Sequence, residues 1–186
     1  MKIRTFRTQQ KTNTHLYTNY FKFAKRKLIA CEQLVKSMPD FKDNTAIEKK
    51  VCHELFYLMG YIVEGLSVYV IYDVLEWDKS KEISRFDRNF SDEHDLSWDG
   101  ETTYTIKRHR FNSYLSVVRG KDEVAGIPFI SGSDSDEAPY KHLSKWSPEL
   151  RYELNDIELT KKQIIELFNY CKSMYSAVVD IIGPVL

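Results

Sequence analysis

The sequence lacks a net charge, because 27 lysine and arginine residues balance 27 aspartate and glutamate residues. This balance excludes a basic field over the whole molecule, so any binding of nucleic acid must be local. The charge is nevertheless uneven along the chain. Residues 1–36 hold nine basic side chains and only Glu32 as an acid, whereas residues 87–101 are acidic apart from Arg88. The basic start predicts either a phosphate contact or a polar tail followed by the solvated face of a helix.

Cysteine pairs and the short motifs of several enzyme classes are also absent. Cys31, Cys52 and Cys171 are far apart in apolar segments, which predicts buried reduced thiols and excludes a C-x-x-C zinc or redox pair. No Gly-rich phosphate loop, serine-hydrolase elbow or calcium loop occurs. We therefore expect no metal ion and no cofactor. The first ten residues lack the apolar core of a secretory signal, so a cytoplasmic protein is expected.

Apolar residues recur at steps of three and four in four segments, which predicts four helices. Their approximate ranges are 14–38, 45–77, 111–118 and 161–182. Capping signals support these bounds: Pro39 follows the first segment, Gly120 follows the third, and Thr160 with Gln163 forms a capping box before the fourth. Ser147 and Pro148 predict one or two further helical turns.

Two polar stretches separate these helices. Residues 78–107 are acidic with an extended piece at TTYTI, and residues 120–144 contain SGSDSDEAP, which is typical of a flexible surface loop. The chain has material for one sizeable core, so residues 1–186 are expected to form a single domain with a basic tail at 1–13. The expected fold is all-α: an up-and-down bundle of four main helices with two long surface insertions.

The second helix carries Glu64 in the middle of a stretch that is apolar on all sides. Such a helix must be enclosed by protein or by lipid. A membrane span is disfavoured, because the stretch is short, holds a carboxylate at its centre and has acidic rather than basic flanks. We expect the central helix of a soluble bundle instead. A glutamate buried there needs a hydrogen-bond or charge partner, since an isolated buried carboxylate is too costly.

The order of these pieces resembles the HEPN family, the "higher eukaryotes and prokaryotes nucleotide-binding" domain. The segment YFKFAKRKLIACEQLV resembles the first helix of the family, and LMGYIVEGLSVYVIYDVL resembles its second, in which Gly60, Tyr61 and Glu64 match a Gly-Tyr pair followed by a glutamate. RHRFNSYL matches the stretch where the family has a histidine, here His109, before an apolar helix. ELRYEL resembles the closing Arg-Tyr segment. About two thirds of the chain is covered, without the two insertions.

The resemblance implies that Glu64 meets a partner from elsewhere in the fold, because the lysine that often follows four residues later is Val68 here. The expected partners are as follows: Tyr57, Tyr61, Arg108, His109, Arg151 and Tyr152. Two readings stay open for Glu64, a structural bond that pins helices together or a role in a site.

Many HEPN proteins are metal-independent ribonucleases with an Arg-x(4 to 6)-His motif. Only RNFSDEH has this spacing, which makes Arg88 and His94 the catalytic candidates, with the histidine on the 2′-hydroxyl or leaving group and the arginine on the phosphate charge. However, the family sets this motif at the start of a later helix, whereas these residues lie in an acidic insertion that would repel RNA. A chance match in a loop is the favoured interpretation.

A second polar cluster consists of Arg108, His109 and Arg110 at the start of the third helix, where side chains and free backbone N–H groups can hold a phosphate. The alternative is that His109 caps the helix while both arginines face water. The resemblance thus implies a HEPN-like domain, non-catalytic and homodimeric, that binds a nucleotide, RNA or a partner protein such as a nucleotidyltransferase of a two-component defence or toxin–antitoxin system. The alternatives are a ribonuclease that uses Arg88 and His94, and a helical scaffold without ligand.

Overall fold

The computed structural model describes residues 16–38, 45–81, 83, 93–97, 103–107, 111–129, 140–143, 145–152 and 158–185. Within them the chain is predominantly helical, as predicted for the all-α class. The elements follow in this order: α1 (Thr18–Ser37), α2 (Ala46–Val74), β1 (Glu93–Ser97), β2 (Thr103–Lys107), α3 (Phe111–Val118), α4 (Tyr140–Leu143) and α5 (Lys161–Ile181). Two 3-10 helices lie at Asp122–Val124 and Pro148–Tyr152, and the second is called the Pro148 turn below.

The core is built around α2, which contacts α1, α3, α5 and the Pro148 turn. The helix is long and apolar enough to cross a membrane by length and composition, but 83% of its most apolar window is buried inside the protein. This enclosure is what an all-round apolar helix requires in a water-soluble fold. The prediction of a central helix surrounded by protein is therefore confirmed for the residues that the structure describes.

The helix ends follow local signals in the sequence. The Thr45 side chain accepts a hydrogen bond from the backbone N–H of Glu48 and so caps the start of α2. The predicted capping box of Thr160 and Gln163 is present at the start of α5. Gly120, predicted to end α3, adopts a left-handed conformation with φ of 78°. In contrast, α2 ends at Val74, three residues before the predicted end at residue 77.

Helices α1 and α2 approach closely at Gly65. A Cβ atom at this position would lie 2.9 Å from the carbonyl oxygen of Tyr20 and 3.1 Å from the Cβ atom of Ala24. Any larger side chain would therefore push the two helices apart. This contact explains why a residue with poor helix propensity stands inside a buried helix.

The segment 78–107, predicted to be irregular with one extended piece, contains an antiparallel pair of strands, β1 and β2. The predicted piece TTYTI largely coincides with β2, whereas β1 was not predicted. His94 of β1 is paired with Ile106 in this register. The segment 120–144, predicted as a surface loop, holds the 3-10 helix Asp122–Val124 and helix α4. The tail at 1–13 and the SGSDSDEAP stretch lie outside the described residues.

Candidate functional site

Glu64 is buried in the middle of α2, with 6% of its surface exposed. The Tyr114 hydroxyl of α3 donates a hydrogen bond to its Oε1 atom at 2.9 Å. The bond joins α2 to α3, and its two residues are 50 positions apart in the chain. The prediction that Glu64 meets a donor from another element is confirmed. Tyr114 was not among the six predicted partners, because it was recognised only as a core residue of the third helix. Two of those six, Arg108 and His109, lie outside the described residues, so their pairing with Glu64 stays a prediction.

A pair of tyrosines lies beside Glu64 on the same helix. The Tyr57 hydroxyl donates to the Tyr61 hydroxyl at 3.2 Å, and the two rings meet edge to face at 5.0 Å. Residues four apart share one face of a helix, which is why these side chains meet. Burial raises the pKa of the Tyr61 hydroxyl, and the nearby negative charge of Glu64 acts in the same direction. Tyr61 therefore stays neutral and serves as a hydrogen-bonding group rather than as a base.

Trp146 covers this part of α2. Its indole N–H donates to the backbone carbonyl oxygen of Tyr57 at 3.0 Å, and its ring meets Tyr61 edge to face at 4.9 Å. The other side of the indole stacks with Phe111 at 5.6 Å. A Cβ atom at Gly60 would lie 2.1 Å from the indole ring, so only glycine fits beneath it. Trp146 therefore packs directly against Gly60 and Tyr61, the Gly-Tyr pair of the sequence motif.

The Pro148 turn presents Arg151 and Tyr152 at the surface. The turn is attached to α2 by His53, whose Nε2 atom donates to the carbonyl oxygen of Leu150 at 2.9 Å. The Arg151 guanidinium lies 4.5 Å from the centre of the Tyr152 ring and close to the Tyr57 hydroxyl. Tyr152 is 71% exposed. An exposed cation and an exposed aromatic ring therefore lie side by side.

A second cation lies on the other side of the tyrosine pair. The Phe23 ring of α1 meets the Tyr61 ring edge to face at 5.8 Å, and the Lys27 ammonium lies 5.3 Å from the centre of the Phe23 ring. We call these six connected side chains the cation–aromatic strip; its members, in the order in which they contact one another, are Lys27, Phe23, Tyr61, Tyr57, Arg151 and Tyr152.

The strip combines two kinds of group that can bind a nucleotide: cations for its phosphate and aromatic rings for its base. A guanidinium has five N–H donors and binds phosphate oxygens in a fixed geometry, and cations held over aromatic rings lose little freedom on binding. An exposed tyrosine ring can stack with a base. Among the described residues no group of three or more histidine, cysteine, aspartate and glutamate side chains could hold a metal ion.

Two clefts of about 250 and 260 Å³ lie elsewhere on the surface. The first is formed mainly by residues 115–129, and the second lies between the end of α2, Glu123 and the end of α5. Neither includes a residue of the strip.

Three of the predicted site residues come together in this arrangement. Tyr61 and Glu64 lie side by side on α2, and Arg151 reaches them through Tyr57. His94 belongs to β1, with a side chain that is not described. The other predicted residues lie outside the described residues: Arg88, Arg108, His109 and Arg110. Their roles stay predictions.

The members of the site that the sequence did not reveal are Tyr114, Trp146, Phe23 and Lys27. The spacing of Tyr114 signalled only a buried face, and the only signal for Trp146 was Gly60, which indicated a close neighbour without naming it. Comparison of the chain with protein-family models, with curated proteins and with solved structures finds no match.

Proposed function

We propose that the protein is a HEPN-like, non-catalytic helical domain that binds a phosphate-bearing ligand, a nucleotide or RNA, at Arg151 and Tyr152. The observation that carries this proposal is the Arg151 guanidinium 4.5 Å from the centre of the exposed Tyr152 ring and close to the Tyr57 hydroxyl. Such a pair offers a phosphate clamp and a stacking platform within one short turn.

Anchoring to the core supports a binding role for this surface. His53 hydrogen-bonds the carbonyl of Leu150, and Arg151 lies close to the tyrosine pair beside buried Glu64. Groups whose positions are fixed before the ligand arrives lose less conformational entropy on binding. In this proposal Glu64 is therefore a positioning residue that orders the tyrosines, and it does not touch the ligand.

The non-catalytic assignment rests on the described residues of the strip, among which no histidine is paired with an acid. His53 uses its Nε2 atom to hold the Leu150 carbonyl, and the six strip residues include no histidine. His94 belongs to a strand, whereas the family sets its histidine at the start of a helix. The homodimer and a partner nucleotidyltransferase are further expectations of the HEPN resemblance.

The proposal is tested by thermal unfolding with adenosine monophosphate and with a panel of other nucleotides. A nucleotide at 100 times its Kd stabilises the fold by about 2.7 kcal/mol, which raises Tm by roughly 5–10 °C for a chain of this size. The Arg151→Gln variant should lose this shift. Arg119→Gln is the matched control, because Arg119 is also exposed but lies at the end of α3, outside the strip. Absence of any shift with all nucleotides, together with absence of RNA binding, would overturn the proposal.

A further inference from the structure

We propose that the cleft between the end of α2, Glu123 and the end of α5 binds the basic N-terminal tail of the same chain, residues 1–13. The cleft is called the acidic cleft below. This inference goes beyond the proposed function and does not depend on it, because the acidic cleft contains no residue of the cation–aromatic strip.

Aliphatic side chains form part of the lining of the acidic cleft. They belong to Val74, Val124, Ile181 and Ile182. Ile181 is 42% exposed, although it ends a helix that is otherwise part of the core. The cleft has a volume of about 260 Å³, which is below the roughly 300–1,000 Å³ of sites for small-molecule ligands. It therefore suits one apolar side chain of a peptide better than a whole cofactor.

Three carboxylates line the same cleft, those of Asp73, Glu76 and Glu123. Asp73 is paired with Lys79, whose ammonium lies 3.6 Å from its Oδ1 atom. Glu76 and Glu123 are exposed and form no ion pair within the described part of the chain. A negative charge thus remains beside an apolar surface, and this combination attracts a basic segment and repels an acidic one.

The described chain begins beside the acidic cleft. Tyr17 is buried, and its hydroxyl donates a hydrogen bond to the Oδ1 atom of Asp73 at 3.1 Å. The tail therefore joins the fold next to a residue that lines the cleft. Nine residues, 7–15, separate Phe6 from Leu16, and a chain of this length can span about 30 Å. Phe6 is thus within reach of the cleft.

The tail has a composition complementary to the acidic cleft. Its charged residues are all basic: Lys2, Arg4, Arg7 and Lys11. Phe6 lies between two arginines in the sequence, so an apolar anchor is flanked by cations, as the aliphatic lining of the cleft is flanked by carboxylates. A segment joined covalently to its site has an effective concentration on the order of 1 mM. Contacts that are too weak to hold a separate basic peptide therefore suffice for the tail, which favours it as the occupant.

The test attaches a nitroxide to the full-length protein through Thr8→Cys and measures the broadening of backbone amide signals. The three natural thiols are buried, so the label reacts with the introduced thiol. We expect broadening at Glu76, Glu123 and Ile181. It should weaken in 1 M salt, because the Debye length falls to about 3 Å and screens the exposed charges.

Charge and anchor variants of the labelled protein identify the contacts. Glu76→Gln combined with Glu123→Gln should lower the ratio of docked to undocked tail several-fold, and Phe6→Ala should also lower it. The matched control is Glu54→Gln combined with Glu158→Gln, which removes the same charge from two exposed positions. Glu54 lies in the first third of α2 and Glu158 precedes α5, whereas the cleft lies at the ends of these helices.

A mixing experiment separates the tail of the same chain from that of a second copy. Isotope-labelled protein without nitroxide is mixed with unlabelled protein that carries it. Broadening of the cleft signals in this mixture would overturn the proposal in favour of exchange between copies. Broadening confined to the start of α1, or equal broadening in the cleft and control variants, would also overturn it. Cleft broadening that is absent from the mixture and is reduced only by the cleft and anchor variants supports it.

Discussion

The Tyr114→Phe variant tests the buried bond at the centre of the fold. Phenylalanine keeps the ring, which is 1% exposed and packs near Phe111, and removes only the hydroxyl that donates to Glu64 at 2.9 Å. A hydrogen bond to a carboxylate contributes about 1.5–3 kcal/mol, so the free energy of unfolding should fall by about 2 kcal/mol. For a chain of this size Tm should fall by roughly 4–8 °C.

The assay is urea unfolding followed by circular dichroism, with Tyr175→Phe as the control. Within the described part of the chain the Tyr175 hydroxyl makes no hydrogen bond, so its removal should change stability by less than about 0.5 kcal/mol. A second comparison repeats Tyr114→Phe in a Glu64→Gln background, where the cost should be smaller by at least about 0.5 kcal/mol. The reasoning is refuted if Tyr114→Phe matches the control, or if it costs the same in both backgrounds.

Two further predictions concern the packing of α2 and the buried thiols. Gly60→Ala should destabilise the fold by about 1–3 kcal/mol in urea unfolding, because the new Cβ atom meets the Trp146 ring, despite a gain of about 1 kcal/mol in helix propensity. The control is Gly126→Ala, whose Cβ atom meets only the flexible end of Ile181 and which should be nearly neutral. Equal effects of the two variants would contradict the account. Burial raises the pKa of Cys31 to about 12 and raises that of Cys171 and Cys52, so all three thiols should stay unreactive with Ellman's reagent in native buffer and react in denaturant. Rapid labelling of any of them in the native protein would show that its burial is wrong.

Helices were predictable from the sequence because their signals are local. The capping box of Thr160 and Gln163 and the left-handed Gly120 each depend on a few neighbouring residues, and both are present in the structure. The position at which α2 ends was harder to predict from the sequence. Glu76 adopts a left-handed conformation with φ of 49°, which the apolar pattern up to Trp77 does not reveal.

The contacts of the candidate site were harder to predict, because they join distant parts of the chain. The sequence showed that Glu64 needs a donor, but periodicity describes which face is buried and not which residue 50 positions away meets it. Gly60 likewise signalled a close neighbour without identifying Trp146. Arg151 was named through the family resemblance, whereas its position beside Tyr57 depends on how the Pro148 turn packs on α2.

Nuclear magnetic resonance most directly tests the claim that the Pro148 turn binds a phosphate-bearing ligand. Backbone amide signals of the isotope-labelled protein are followed while adenosine monophosphate and, in a second titration, unlabelled oligouridylate are added. The account predicts shifts confined to the Pro148 turn and to α2 near Tyr57. Shifts centred on α5, or no shifts with either compound, would contradict it.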